Sequence, residues 1–105
     1  MSDTATITQS QQDQRLARRW HVILCDDDAH SYEYVVSMLM EIFGHSLEQA
    51  FAMAVEVDSK GTVIVTTTSY ERALLKQEQI HDYGPDPRIP DCQGSMTAVV
   101  EPAPM

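Results

Sequence analysis

The chain has 105 residues, 43% of them apolar, which suits one small domain with a single core and leaves too little for two. Its 16 Asp and Glu outnumber its seven Lys and Arg, giving a net charge of -9, so it lacks the positive surface that phosphate-backbone binding requires and nucleic acid is not an expected partner. No apolar run is long enough to span a bilayer and no charged segment precedes an apolar one at the N-terminus, so the expected setting is cytoplasmic, with no membrane.

Residues 1 to 19 are rich in Gln, poor in large apolar side chains and include Arg15, Arg18 and Arg19. This composition predicts a flexible, slightly basic tail in front of a domain spanning 20 to 103. From Trp20 onward four basic residues face fourteen acidic ones, a net charge of about -10.

The domain opens with WHVILC (20 to 25), where apolar residues alternate in a short β-rich run, as in a strand covered on at least one face. Asp26, Asp27 and Asp28 come next, with no Lys or Arg in the next thirty residues to offset them. Ser31 then reads as the N-cap of a helix with Glu33 in its first turn. Val35, Leu39, Ile42 and Phe43 recur at helical spacing until Gly44 stops it. Ser46 and Gln49 fit a capping box for a second helix, whose apolar face is Leu47, Ala50, Phe51, Ala54 and Val57 and whose end is expected near Asp58.

Lys60-Gly61 signals a turn. The run TVIVTTT (62 to 68) is almost wholly β-branched, as a strand prefers, because branched Cβ atoms restrict χ1 and pack on a pleated surface. Ser69 caps a third helix over 70 to 83, Gly84 and the prolines after it make a loop, residues 95 to 101 form a last strand, and EPAPM is expected to fray. Three strands and three helices in the order β-α-α-β-α-β predict a small α+β sandwich.

Cys25 falls in a strand and Cys92 in the loop, without a CxxC or a His at ligand spacing, so neither a disulfide framework nor a zinc site is indicated. The four His have no Ser or Cys nucleophile in a recognisable local motif, and catalysis is not expected. His21 reads as a packed strand residue, His45 as part of a turn, and Met38, Met40 and Met53 as core filler. No cofactor is called for.

The WHVILCDDD segment, the helix YEYVVSMLMEIF, the Ala-rich second helix and the Lys-Gly turn before a strand together resemble the ClpS family, adaptors of the Clp protease. The resemblance covers residues 20 to 83 and the last strand. It implies a three-stranded antiparallel sheet packed against three helices. It also implies two partners: the N-terminal domain of a Clp AAA+ ATPase, and N-degron substrates, proteins carried by a bulky hydrophobic first residue.

By the same resemblance Asp26 and Asp27 stand where the family has Asn-Asp, and with Asp58, in place of a His, they bind the cargo's N-terminal amine. The missing positive charge would thus be another protein's ammonium, which is mostly protonated at neutral pH. His30, Tyr32, Ala54, Val57 and Met96 fall at the side-chain pocket. Tyr32 and Ala54 both replace family Met, which implies an altered preference for the first residue. Glu71 and Lys76 match the family's ATPase contacts. This match comes from alignment and not from periodicity, since five positions apart is not one helical face.

Two other readings of the acidic run compete. VILCDDD resembles the strand end of a receiver-like signalling domain, although that fold needs about five βα repeats. Alternatively Asp26, Asp27, Asp28, His30 and Asp58 converge as an acidic metal-binding cluster, although EF-hand spacing is absent. The plainest reading leaves the three acids as a solvated turn.

Overall fold

This computed structural model describes residues 18–27, 29–90, 92 and 94–104. The tail predicted over 1 to 19 lies, up to residue 17, outside the described residues, as does Asp28.

The chain runs β1 (Trp20–Cys25), α1 (Tyr32–Phe43), α2 (Leu47–Lys60), β2 (Thr62–Thr68), α3 (Tyr70–His81) and β3 (Thr97–Pro102). β1 is the central strand and pairs antiparallel with both neighbours, giving the sheet order β2-β1-β3. Leu24 sits between Val63 and Ala98 in the two registers. Because side chains alternate across a strand, Val22, Leu24, Val63, Val65 and Ala98 fall on the face covered by the helices, and all five are buried in one core with Val35, Met38, Leu39, Ala50, Ala54, Val57, Ala73 and Ile80. An antiparallel sheet of three strands is not the parallel, doubly wound sheet of a receiver domain, and that reading is set aside.

The β1–β2 register shifts between Val22 and Ile23, so Val65 on β2 has no opposite number. Such a bulge frees a backbone group from the ladder, and the Val65 carbonyl accepts a hydrogen bond from His45 Nε2 at 2.7 Å. His21, as expected, is structural: its Nδ1 lies 2.8 Å from Thr67 Oγ1.

Local chemistry sets the helix ends. Ser31, Ser46 and Ser69 each accept a hydrogen bond at the N-cap, from the backbone N–H of Tyr34, Gln49 and Arg72. The Ser46–Gln49 capping box is complete, both bonds at 3.1 Å. Gly44 (φ 72°) and Gly61 (φ 86°) close α1 and α2 in the left-handed region that favours glycine. The second helix therefore runs two residues past Asp58, to the residue before its glycine. The third stops at His81 and not at 83, because the Tyr83 N–H turns back three residues to the Ile80 carbonyl in a tighter turn. α1 has no basic residue in its own last turn, and Lys76 of α3 supplies one: its Nζ donates to the Ile42 carbonyl at 2.6 Å and lies 5.6 Å from the centre of the Phe43 ring.

Three sequence expectations are corrected. Leu47 and Phe51 do not face the core but are 62% and 52% exposed. Alanines at 50 and 54 let α2 approach its neighbours closely, so the buried arc is narrow, and residues just outside it reach solvent. Met40 is likewise exposed, whereas Met38 is fully buried. The C-terminal EPAPM segment does not fray through residue 103: Glu101 and Pro102 complete β3, and buried Ala103 donates its N–H to the Arg19 carbonyl at 2.8 Å and accepts from Arg18 Nη2 at 3.2 Å. Arg18 and Arg19 are thereby tied to the strands.

Leu24→Ala should lower stability by about 3 kcal/mol in urea unfolding, because it opens a cavity at the centre of the sheet. Leu47→Ala should change it by less than about 0.5 kcal/mol, as befits an exposed position.

Candidate functional site

Where β1 ends, the Asp26 N–H donates to the Gly61 carbonyl at 2.9 Å, which ties the acidic turn to the C-terminal end of α2. The turn then folds on itself: Asp27 Oδ1 accepts from the Ala29 N–H at 3.1 Å, a local Asx arrangement that brings the chain into α1. The same oxygen lies 2.8 Å from Nδ1 of His30.

The His30 ring is almost fully covered, with 3% of its side chain exposed. Its Nε2 stands 2.7 Å from the Gly94 carbonyl and its ring 4.5 Å from that of Tyr34. His30 therefore bridges Asp27 to the loop before β3.

Tyr32 and Asp58, assigned to different roles in the sequence, meet directly. The Tyr32 hydroxyl donates to Asp58 Oδ2 at 2.7 Å and joins the first turn of α1 to the last turn of α2. Donating that bond raises the cost of ionising the phenol, and burial and the charges of Asp58 and Asp26 add to it, so the Tyr32 pKa lies above its usual value. The Tyr32 ring packs 5.9 Å from that of Phe51. Asp58 sits at the negative end of the α2 dipole, an unfavourable place for a carboxylate, whereas Asp27 lies close to the positive N-terminal end of α1.

The arrangement thus brings Asp26, Asp27 and Asp58 to neighbouring ends of α1 and α2. Asp27 is hydrogen-bonded to His30 and the Ala29 N–H, and Asp58 to the Tyr32 hydroxyl, and none of these partners is a Lys or Arg. An ionised carboxylate has about four lone-pair sites, so both keep capacity for an incoming cationic donor. Ala54, Val57 and Met96 are members of the core, each at most 2% exposed. Among the described residues, no three His, Cys, Asp or Glu converge as ligands for a metal ion. The predicted ATPase contacts are elsewhere, on α3: Glu71 is exposed in its first turn, and Lys76 lines a groove of about 680 Å³ with Glu41, Ile42, Leu75 and Tyr83.

Sequence reasoning missed Asp86. It is 1% exposed and accepts hydrogen bonds from both the N–H and the hydroxyl of Ser31, each at 2.7 Å, and from the Arg88 N–H at 3.0 Å. The helix cap is itself capped, from 55 residues away. Tyr34 adds a hydrogen bond from its hydroxyl to the Gly84 carbonyl at 2.6 Å. These bonds and the His30–Gly94 contact fix the loop against the first turn of α1. No local signal marks Asp86, since nothing near it in the chain shows what it will cap.

The family model described as "ATP-dependent Clp protease adaptor protein ClpS" matches residues 15–87. The ATP-dependent Clp protease adapter protein ClpS of Ruegeria sp. (strain TM1040) is 34% identical over 82 residues, 78% of this chain and 73% of that protein. Its counterpart in Campylobacter jejuni (strain RM1221) is 32% identical over 82 residues, 78% of this chain and 83% of that one. Among solved structures, Agrobacterium tumefaciens ClpS2 bound to L-phenylalaninamide matches with a TM-score of 0.70 at 20% identity, covering 82% of this chain and 98% of that one. This last likeness concerns the fold: three helices on a three-stranded antiparallel sheet in the same order.

Burial pushes the Asp86 carboxyl up, but the hydrogen bonds from Ser31 and Arg88 outweigh it and hold the pKa at about 2, against an ordinary 3.8. A depressed folded-state pKa stabilises the fold above the unfolded value, and that contribution disappears as pH falls from about 4 through about 2. Asp86→Asn should therefore be less stable than the parent by about 2 kcal/mol at pH 7. In urea unfolding the gap should close as the pH is lowered towards about 2.

Proposed function

Because the chain belongs to the ClpS family, adaptors of the ATP-dependent Clp protease and not enzymes, we propose that it captures the free N-terminal residue of protein cargo, an N-degron, and delivers that cargo to a Clp AAA+ ATPase. Asp26, Asp27 and Asp58 receive the α-ammonium, and the first side chain enters between Tyr32 and the wall formed by Ala54, Val57 and Met96. His30 acts from behind, holding Asp27 in place.

One observation carries this reading. The Asp26 backbone is tied to the C-terminal end of α2, and Asp27 and Asp58, near the neighbouring ends of α1 and α2, are oriented by His30 and Tyr32, with neither paired to a Lys or Arg among the described residues. Carboxylates at neighbouring helix ends repel one another, and a compact cation with three N–H donors would relieve that repulsion. The solved ClpS2 is described as bound to L-phenylalaninamide, a small molecule with a free α-amine beside an aromatic side chain. That is the chemistry proposed for this site.

Delivery is assigned to α3. Glu71 and Lys76, with the groove between α3 and the end of α1, form the face that meets the N-terminal domain of the ATPase. Lys76 is held in place by its bond to the Ile42 carbonyl, so this face is tied to the packing of α1 on α3.

Peptides with a free N-terminus should bind in fluorescence anisotropy, and acetylation of the terminal amine should abolish binding. Affinity should also fall as pH rises past about 8, where an N-terminal amine loses its proton. Equal binding of free and acetylated peptides would exclude amine capture. Asp58→Asn, which keeps the shape and removes the charge, should weaken binding of the free-ended peptides about tenfold.

A further inference from the structure

The exposed apolar side chains of α2 are not scattered. Leu47, Phe51 and Val55 are 62%, 52% and 42% exposed and recur every fourth residue. At about 100° per residue, these three and Asp58 lie within about 40° of the direction of Phe51, a single stripe along the helix. The stripe leads from solvent to the site: Phe51 packs on the Tyr32 ring, and the Tyr32 hydroxyl binds the Asp58 carboxylate. None of the three apolar residues is needed by the core, which uses Ala50, Ala54 and Val57 of the same helix.

We propose that this stripe is an extended cargo subsite, which binds apolar side chains at about the third to sixth residues of the polypeptide whose N-terminal amine is held at Asp26, Asp27 and Asp58. The inference rests on the amine-capture reading. Its occupant is argued from continuity and reach. From Asp58, Phe51 lies about 10 Å back along the helix and Leu47 about 16 Å, at about 1.5 Å per residue. An extended peptide advances about 3.3 Å per residue, so a chain anchored at Asp58 and running along α2 brings about its fourth residue to Phe51 and its sixth to Leu47. Val55 lies close enough to meet the second or third. The adaptor would then read a short apolar pattern and not only a first residue, and the open ring of Phe51 would be its chief contact.

The test uses the full chain and fluorescent peptides that open with Leu, Phe, Tyr or Trp. Each is made with either a Gly-Ser body or Leu at the third and fourth positions, and each with a free or an acetylated end. The Leu-bearing, free-ended peptides should bind about fivefold to tenfold tighter than their Gly-Ser counterparts. In Phe51→Ser that advantage should vanish while the Gly-Ser peptides keep their affinity; Leu47→Ser should reduce it in part. Phe51 is half exposed, so the variant should fold, and circular dichroism checks this.

Equal affinities for the two bodies would overturn the subsite while leaving amine capture standing. So would an advantage that survives in Phe51→Ser. If acetylated peptides bound as well as free ones, or no free-ended peptide bound, amine capture would fail, and with it the register assigned to the stripe.

Discussion

Everything in this small domain depends on β1 being paired on both edges. A six-residue strand with β2 on one side and β3 on the other carries Val22 and Leu24 into the core, and every helix packs, directly or through another, on the face those residues define. The strand also aims the acidic turn at its C-terminal end. Since β1 runs antiparallel to both neighbours, its end lies at the edge where β2 begins, and the Asp26–Gly61 bond joins the turn to the end of α2. Segments more than thirty residues apart in sequence are thus brought together by backbone pairing.

The same edge concentrates charge in a way that simple stability would not favour. Asp27 gains something from the N-terminal end of α1 and from His30, but Asp58 sits at the wrong end of the α2 dipole, where the Tyr32 hydroxyl holds it. Local electrostatic preference is thus broken at the proposed site, where function would require it. The offsetting order comes from elsewhere: buried Asp86 binds both donors of Ser31, and His30 joins Asp27 to Gly94. The first turn of α1 is thereby fixed, which would lower the entropic cost of ordering it if the proposed cargo binds there.

α2 divides its two faces by side-chain size. Alanines on the inner face allow a close approach to the core, and Leu47, Phe51 and Val55 are turned outward. Phe51 shows the consequence. In sequence it is indistinguishable from a core residue, yet in the fold it extends the surface beside Tyr32.

The sequence by itself determined the elements and their ends, because these depend on near neighbours: serine hydroxyls three residues from the N–H groups they accept, glycines where φ must be positive, and β-branched runs that prefer a pleated strand. It also carried the ClpS resemblance and, with it, the acidic residues of the proposed site. Tertiary structure alone decided the features that depend on distant partners. The pairing of Tyr32 with Asp58, the burial of His30 against Gly94, the capping of Ser31 by Asp86 and the use of Lys76 to close α1 each join residues more than twenty positions apart. Helical spacing also left open how wide the buried arc of α2 would be. That width is set by how near the neighbouring helices and strands can approach, and local periodicity does not contain that distance.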